Sequence, residues 1–374
     1  MHYVRGNRRL NVVQQIPGER LRLLVVNADT AATSMLRSAF ASVADAALEV
    51  TASAKTAIRL LSAEPYDLVA VDPAITTGGF ALIKYIKDNY RWTETLIATH
   101  NQEPLYLREA ISCGVDGLLF RPAGSAEFVE QALLLAREAS ARRRRQQKRV
   151  LAIGAHPDDV EIGCGGALAA HYDEYDLLHI LTLSRGAAGG DTDIRATEAH
   201  NAAAMVGAQL KLEDLRDTDI DAGAETISII EAAIHELQAT HVYTHSNEDT
   251  HQDHRAVHAA SLVAARGVPN VYCYQSPSST MDFKPHRFVD ITHYIDRKID
   301  LIGAHKSQVE SMESIQPDMI LSTARYWGRY AGHVLAEPLQ IVRERDSNSG
   351  SSRPRIRPAA ILFTAEGDSE GGET

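Results

Sequence analysis

The sequence has few cysteines, no long hydrophobic run and no excess of positive charge. Its three cysteines are far apart and odd in number, so they predict neither a disulfide framework nor a C-x-x-C zinc site. No segment approaches the roughly 18 apolar residues that a membrane helix needs. The first ten residues lack the apolar core of a secretory signal. We therefore expect a soluble, cytoplasmic protein that has no membrane partner.

The net charge of −11 argues against nucleic acid as a partner, because phosphate backbones attract basic surfaces. The strongly basic stretch at residues 142–149 has no interleaved aromatic residues that could stack on bases. Its charge alone would also fit a nucleic-acid contact, but a solvated helical spacer is the simpler interpretation. We expect no nucleic-acid partner.

Two successive segments, residues 21–138 and 150–345, alternate short apolar runs with longer stretches of helical period. This alternation predicts an α/β protein with two doubly wound parallel-sheet domains. Residues 139–149 are predicted to be a basic helical linker and residues 1–20 a flexible arm. Residues 346–374 are rich in Ser, Gly, Pro and acidic residues, which predicts a disordered tail.

A first polar cluster follows the apolar strand at residues 150–154, where His156 precedes Asp158 and Asp159. The loop after the first strand of an open parallel sheet is where such folds hold ligands. Two neighbouring buried carboxylates repel each other, and a cation would relieve that repulsion. Because consecutive side chains diverge, one carboxylate would bind the cation while the other faces whatever the cation binds.

A second polar cluster follows the apolar strand at residues 241–244. His251 and His254 are three residues apart and share a face of a helical turn, and Asp253 between them can orient an imidazole. Two histidines and one carboxylate form the ligand set of catalytic zinc, and iron(II) suits the same set. Alternatively, these are polar loop residues, with Asp249 or Asp253 capping a helix. The presence of both clusters at strand ends favours a metal site.

The motif at residues 156–159, together with that at residues 251–254, resembles the PIG-L/LmbE family of zinc-dependent N-deacetylases. The resemblance covers about residues 149–343 and implies a Rossmann-like fold. Further matching positions are residues 161–166, 182–186 and 189–190, Arg195, Glu198, Arg325, residues 327–329, Gly332 and Glu337.

The resemblance implies a role for six residues, three as metal ligands and three in catalysis. The metal ligands are His156, Asp159 and His254, and the catalytic residues are Asp158, His251 and Asp253. Asp158 would be the general base, while His251 would stabilise or protonate the tetrahedral intermediate. Asp253 would support a metal ligand.

The sequence departs from the family pattern at two places. Ala187 and Ala188 follow Gly186 where a glutamate is common, which leaves the substrate open. Gln252 replaces a usual proline, and we expect little effect. Arg185 would bind a substrate hydroxyl or phosphate, although a surface salt bridge explains it equally well.

Several other residues of the second domain have simpler interpretations than a catalytic one. His258 is expected to pack or to support a ligand, and Glu198 to form a helix ion pair with Arg195. A dinucleotide-binding motif would need glycine where Leu168 stands, so we reject it. Cys164 is expected to be a small packing residue rather than a nucleophile.

The first domain resembles the receiver domain of response regulators, which has a flavodoxin-like fold. Asp72 ends the third predicted strand at the position of the phospho-acceptor. Thr99 ends the fourth, where a signalling Thr or Ser is usual. Arg121 and Pro122 stand where Lys-Pro is usual.

The magnesium-binding acidic pair of such domains is missing, because Asn27 and Ala28 occupy its positions and only Asp29 follows. Phosphoryl transfer depends on that metal to neutralise developing charge. We therefore expect a pseudo-receiver that acts as a scaffold or dimerisation module, with Asp72 a vestigial acceptor or merely a solvated strand-end acid.

The expected function is zinc-dependent hydrolysis of an N-acetyl amide on an amino sugar or sugar conjugate, with release of acetate. Two alternatives stay open: a zinc hydrolase of a non-sugar amide, and a non-catalytic regulatory scaffold with a vestigial metal site. The expected partner is the small-molecule substrate. The sequence leaves open a homo-oligomer formed through either domain.

Overall fold

The computed structural model describes residues 20–73, 78–120, 124–345 and 360–362. They form two compact units that divide between Gln146 and Gln147. The predicted arm lies outside the described residues except for Arg20, and so do Arg121 and Pro122. Within the described ranges, no helix combines the length and apolar character needed to cross a membrane.

The first unit is a parallel sheet with helices on both faces, as predicted. Its strands are β1 (Leu21–Val26), β2 (Ala46–Thr51), β3 (Leu68–Val71), β4 (Glu94–Thr99) and β5 (Gly117–Phe120). Its helices are α1 (Thr30–Phe40), α2 (Ala54–Ala63), α3 (Gly79–Asn89), α4 (Pro104–Ser112) and α5 (Ser125–Gln146). The order β2-β1-β3-β4-β5 is that of flavodoxin-like folds.

Strand β3 shows how the sheet buries both faces. Leu68 and Ala70 belong to the core cluster that includes residues of α1 and α5. Val69 and Val71 belong to the opposite cluster, with residues of α2 and α3. Alternate side chains of a strand point to opposite faces, so a strand covered on both sides is apolar throughout.

The basic stretch at the end of α5 is not uniformly solvated, which corrects the interpretation made from its charge. Arg143 is only 5% exposed, and its Nη1 lies 3.0 Å from Oδ1 of buried Asp67. Arg142 pairs with Glu94. Because these two acids stand at the amino ends of β3 and β4, the ion pairs anchor α5 to that edge of the sheet. A run of like charges in the sequence does not show which member is buried.

We predict that Arg143→Ala destabilises the first unit by about 3–5 kcal/mol, because it leaves a buried carboxylate without its partner. The matched control is Arg144→Ala, which removes an exposed arginine and should cost less than about 0.5 kcal/mol. Urea unfolding followed by Trp92 fluorescence, in a Trp327→Phe background, measures the difference. Equal stabilities for the two alanine variants would contradict the anchoring role.

The second unit contains a larger sheet. Its strands are β6 (Arg149–Gly154), β7 (Leu177–Ser184), β8 (Gln209–Leu215), β9 (His241–His245), β10 (Asn270–Tyr274), β11 (Arg287–Asp290) and β12 (Ala336–Glu344). Its helices are α6 (Asp159–Asp173), α7 (Thr192–Met205), α8 (Ala224–Leu237), α9 (Gln252–Ala264), α10 (Ile295–Gly303), α11 (Lys306–Val309) and α12 (Pro317–Ala331).

The strand order of this sheet places a crevice beside β6. Strands β8-β7-β6-β9-β10 are parallel and follow the Rossmann order, which reverses between β6 and β9. The sheet is mixed rather than purely parallel, because β12 runs antiparallel to both β10 and β11. A short turn that begins at Gly332, with φ of 72°, returns the chain from α12 into β12 and so reverses its direction.

The glycine-rich start of α6 serves close packing. A Cβ atom on Gly163 would lie 2.1 Å from the ring of Tyr274. The helix is interrupted at Cys164, and the N–H groups of Gly166 and Ala167 each donate to the Glu337 carboxylate over 2.7 Å. Glu337 therefore caps the second half of the helix, which explains these residues without a bound dinucleotide.

A short strand, β13 (Ala360–Leu362), pairs in parallel with β5 at the edge of the first sheet. It lies within residues 346–374, for which the sequence predicts disorder. Edge strands expose unpaired backbone groups, and an added strand satisfies them. The rest of that range lies outside the described residues.

Candidate metal centre and active site

The two polar clusters meet at the carboxyl ends of β6 and β9, where the strand order reverses. His156 and Asp159 follow β6, and His254 lies in the first turn of α9. All three are less than a tenth exposed. Open α/β sheets bind ligands at such a switch point.

The distances between these three side chains fit a single bound ion. Asp159 Oδ2 lies 3.4 Å from His156 Nδ1, and Asp159 Oδ1 lies 3.3 Å from His254 Nε2. Ligand nitrogens of His156, His251 and His254 all lie within 4.8 Å of one another. Ligand atoms about 2.0–2.1 Å from a tetrahedral zinc ion lie about 3.3–3.4 Å apart. The donor set and its spacing therefore suit zinc, and iron(II) equally by ligand type.

The site strongly favours a positive charge. Burial disfavours charged His156, yet its hydrogen bonds to Asp159, Asp217 and Asp253 raise its pKa to about 12. Burial acts against His254 too, but the charge of Asp159 raises its pKa to about 9. Both shifts have the same origin, an excess of buried carboxylate, which a bound cation would compensate.

Asp249 orients His254. Its Oδ2 accepts a hydrogen bond from His254 Nδ1 over 2.9 Å, which leaves Nε2 facing Asp159. Asp249 is itself held by the hydroxyl groups of Ser276 and Ser278. Such partners fix ligand orientation in metal sites. From the sequence, Asp249 is expected only to cap a helix.

Asp253 and Asp217 orient His156. Its Nε2 lies 3.0 Å from Asp217 Oδ1 and 3.2 Å from Asp253 Oδ2, which leaves Nδ1 facing Asp159. Asp253 also accepts backbone N–H groups from Thr218 and Ile220. Its carboxylate therefore contacts the histidine of the other motif, while its backbone N–H donates to His251. Asp217 was not anticipated from the sequence.

Asp158 and Asp159 have different partners, and the backbone of Asp158 is strained. Its φ of 109° lies in a region that costs a non-glycine residue of order 1–3 kcal/mol. Its carboxylate is buried, with Arg195 Nη2 at 3.5 Å. Burial and the neighbouring charge of Asp159 raise the pKa of Asp158 to about 7. A carboxylate with this pKa can exchange a proton near neutral pH.

His251 is the most accessible of the three motif histidines. It caps α9, with Nδ1 accepting the N–H of Asp253 over 3.2 Å. Its ring centroid lies 4.9 Å from that of His156 and 4.5 Å from that of His254. Since Nδ1 is an acceptor, Nε2 is the nitrogen that can donate a proton.

His245, which lies outside both sequence motifs, joins the two loops. It is fully buried at the end of β9, and its Nε2 lies 3.1 Å from both the Ala155 nitrogen and Asp159 Oδ2. Its ring stacks on that of His254, with centroids 3.9 Å apart. Asp159, His245 and His254 form a second group with metal-ligand spacing. The signal in the sequence is a second histidine, at the end of the strand that begins with His241.

The arginine that reaches the site is Arg195 rather than Arg185. Arg185 lies on the outside, with its Nε 3.4 Å from the exposed Asp214. Arg195 donates to the backbone carbonyls of Gly186 and Pro157 as well as facing Asp158. Arg195, in α7, is therefore the arginine that faces Asp158, whereas Arg185 is a surface residue.

Glu198 has a different partner from the one expected, and His258 contacts the main chain of β9. Glu198 accepts hydrogen bonds from the backbone and hydroxyl of Ser307, so it supports another segment rather than Arg195. His258 Nδ1 donates to the His245 carbonyl over 2.9 Å, which makes it a packing residue.

In the first unit, Asp72 is buried at the end of β3 and Thr99 at the end of β4. Asn27 accepts the N–H of Asp29, and the Asp29 carboxylate accepts those of Ala31 and Ala32. Asp29, the acidic residue that follows Asn27 and Ala28, thus serves as the N-cap of α1.

Known proteins match both units. Residues 151–265 match the PIG-L family, described as GlcNAc-PI de-N-acetylase, and residues 23–133 match the response regulator receiver domain. The uncharacterized deacetylase YaiS of Escherichia coli (strain K12) is 34% identical over 172 residues, which cover 43% of this chain and 92% of that protein. The chain belongs to the PIG-L family. Both resemblances noted in the sequence are confirmed.

Relatives of this PIG-L family member differ in their reactions. Diacetylchitobiose deacetylase of Thermococcus kodakarensis is 26% identical over 224 residues, covering 52% of this chain and 83% of that enzyme. 4-Oxalmesaconate hydratase of Pseudomonas putida is 28% identical over 192 residues, which cover 43% of this chain and 74% of that enzyme. Family membership alone therefore does not settle the substrate.

We predict that Asp249→Asn lowers zinc affinity by about 10- to 100-fold, because His254 loses the carboxylate that orients it. Competition with a fluorescent zinc chelator measures the affinity, and circular dichroism checks the fold. Asp214→Asn, which neutralises an exposed carboxylate, is the control and should leave the affinity unchanged. Equal affinities in both variants would show that Asp249 does not support a ligand.

Proposed function

We propose that this PIG-L family member is a zinc-dependent N-deacetylase that hydrolyses the acetamide of an amino sugar or sugar conjugate. The observation that carries the proposal is the position of Asp159, within 3.4 Å of His156 and 3.3 Å of His254. His156, Asp159 and His254 would hold the ion, with iron(II) as an alternative. When bound, it would lower the pKa of a water molecule and polarise the amide carbonyl.

Residues beside the proposed metal position would carry out the proton transfers. Asp158 would accept a proton from the attacking water, and the nearby Arg195 favours its ionised form. The water oxygen bonds to the acyl carbon, the carbon–nitrogen bond breaks, and acetate leaves. His251, on the accessible side, would stabilise the intermediate and protonate the departing amine. Asp253 would keep His156 oriented throughout.

The amino-sugar substrate is supported by the relationship to diacetylchitobiose deacetylase. The relationship to a hydratase supports a second candidate, addition of water to a carbon–carbon double bond. Both reactions need an activated water and a base such as Asp158. Hydrolysis of a non-sugar amide is the third candidate, because Ala187 and Ala188 form a 3₁₀ turn where the family's glutamate is missing.

The proposal includes a cytoplasmic location and a small-molecule substrate, without a nucleic-acid or membrane partner. All three cysteines are free thiols, which suits a reducing compartment. Arg143, within the basic stretch, is occupied by an internal ion pair. A homo-oligomer through either domain remains a separate hypothesis.

We predict that Asp158→Asn binds zinc stoichiometrically but releases amine from N-acetylglucosamine about 10²- to 10⁴-fold more slowly, since the general base is lost. His254→Ala should lose both zinc and turnover. A fluorogenic amine assay measures turnover, and plasma mass spectrometry measures the metal. Equal rates for wild type and Asp158→Asn would contradict the role of Asp158. Zinc retained at full stoichiometry by His254→Ala would contradict the ligand set.

We also propose that the receiver-like unit is not a phosphorylation switch. Acetyl phosphate with Mg²⁺ should label the wild type only substoichiometrically, because Asn27 and Ala28 replace the metal-binding acids. Restoring them with Asn27→Asp and Ala28→Asp should increase labelling, and Asp72→Asn should then abolish it. Intact-mass spectrometry measures the phosphate. Stoichiometric labelling of wild-type Asp72 that alters turnover would overturn the proposal.

A further inference from the structure

The short helix α11 carries two polar side chains that the proposed proton transfers do not use. Gln308 is only 5% exposed, and its Nε2 donates to the Gly189 carbonyl over 3.1 Å. Ser307 donates to the Glu198 carboxylate through its backbone N–H over 2.9 Å and through its hydroxyl over 2.7 Å. Gln308 Nε2 also donates to the Ser307 hydroxyl oxygen over 3.1 Å. A continuous chain of hydrogen bonds therefore runs from Glu198 to Gly189 through α11.

Both ends of this chain of hydrogen bonds hold elements that surround Arg195. Glu198 follows Arg195 by about one turn of α7, so the bonds from Ser307 hold that helix. Gly189 ends the 3₁₀ turn that covers Arg195, because a Cβ atom on Gly189 or on Gly186 would overlap the guanidinium group. The Gly186 carbonyl before that turn accepts a hydrogen bond from Arg195 Nη1 over 2.8 Å. Helix α11 thus holds both the helix that carries Arg195 and the turn that packs against it.

The position of Arg195 matters because it faces Asp158, the proposed general base. Its Nη2 lies 3.5 Å from Asp158 Oδ2, which is longer than a charge-assisted hydrogen bond. The short bonds of the guanidinium go instead to the Gly186 carbonyl and, over 2.7 Å, to the Pro157 carbonyl. The segments that carry these carbonyls therefore fix the guanidinium more firmly than Asp158 does. A supporting shell that is loose by about 1 Å can slow a reaction by about 100-fold.

We propose that Gln308 and Ser307 are positioning residues that keep Arg195 in place beside the general base. They act through α7 and through the turn at residues 187–189, and neither would contact the substrate or the metal. This inference rests on the proposed deacetylase function, because the base belongs to that reaction. The two residues lie outside the histidine motifs and meet Arg195 only in the fold.

Hydrogen exchange followed by mass spectrometry tests the anchored turn without any turnover. The backbone N–H groups of Ala188 and Gly189 are hydrogen-bonded, so they exchange slowly while the turn is held. Gln308→Met keeps the length of the side chain but removes its amide. It should speed exchange about fivefold or more in a peptide that covers residues 186–195, because the turn opens more often. Exchange equal to that of the wild type would overturn the proposal.

Gln147→Met is the matched control for this substitution. Gln147 Nε2 also donates to a backbone carbonyl, that of Tyr175. Gln147 precedes β6, so it lies at the opposite end of that strand from the site. Its replacement removes the same kind of bond and should leave both turnover and exchange at residues 186–195 unchanged. Equal changes in the two methionine variants would indicate a general loss of stability and would contradict the positioning role.

A double-mutant cycle shows whether α11 acts through Arg195. Gln308→Met should lower kcat for amine release from N-acetylglucosamine about tenfold, while KM and bound zinc change less than about twofold. Arg195→Lys keeps the charge but loses the planar fork that bonds the two carbonyls. In that background Gln308→Met should lower kcat by less than about twofold, because the effect passes through Arg195. Losses that multiply in the double variant, or an unchanged kcat for Gln308→Met, would contradict the positioning role.

The Ser307 hydroxyl gives a second kinetic test. Ser307→Ala removes the donor to Glu198 and the acceptor for Gln308, and should lower kcat about three- to tenfold. Ser307→Thr retains the hydroxyl and should keep most of the activity. A threonine variant as slow as the alanine variant would show that the hydroxyl is not what positions Arg195.

Two results distinguish a wrong positioning role from a wrong reaction. Faster exchange in Gln308→Met, together with a wild type that releases no amine, would reject the deacetylase and support the anchoring of the turn by α11. Release of amine by the wild type, with exchange and kcat both unchanged in Gln308→Met, would overturn the positioning role alone.

Discussion

The Asp159 carboxylate is the interaction on which the second unit's site depends. It lies between His156 and His254, and it also contacts His245 at the end of β9. One buried carboxylate is thus shared by imidazoles from two loops. Without a positive charge among them, a fully enclosed group of this kind would be costly to bury. The carboxylate therefore explains both why the two loops converge and why the position suits a cation.

The same constraint shapes the backbone around the site. Asp159 contacts the histidines whereas its neighbour Asp158 faces Arg195, and the backbone has a positive φ at Asp158. Arg195 then stabilises the second carboxylate while it holds the loop carbonyls of Gly186 and Pro157. Glu337, from the antiparallel strand, caps the interrupted helix that begins at Asp159. Residues from distant parts of the chain, Arg195 and Glu337, thus stabilise the strained loop and the helix that follows it.

The sequence predicted the features that are local in the chain. Strand–helix alternation predicted both sheets, and the two histidine motifs predicted which loops converge. It did not predict Asp217, His245 or Arg195 as partners, because each is a single residue that reaches the site only through the fold. The sequence did not predict the burial of Arg143 either, because its partner Asp67 is distant in the chain and meets it only in the fold. The direction of β12 depends on a short turn that has no strong motif.

Anomalous diffraction at the zinc edge, from crystals of the protein prepared with zinc, tests the central claim most directly. We predict one anomalous peak per chain, about 2.0–2.2 Å from His156 Nδ1, an Asp159 oxygen and His254 Nε2. A peak on the opposite side of the His156 ring, between Asp217 and Asp253, would contradict the ligand set. Crystals without a peak at either position would contradict the metal centre itself.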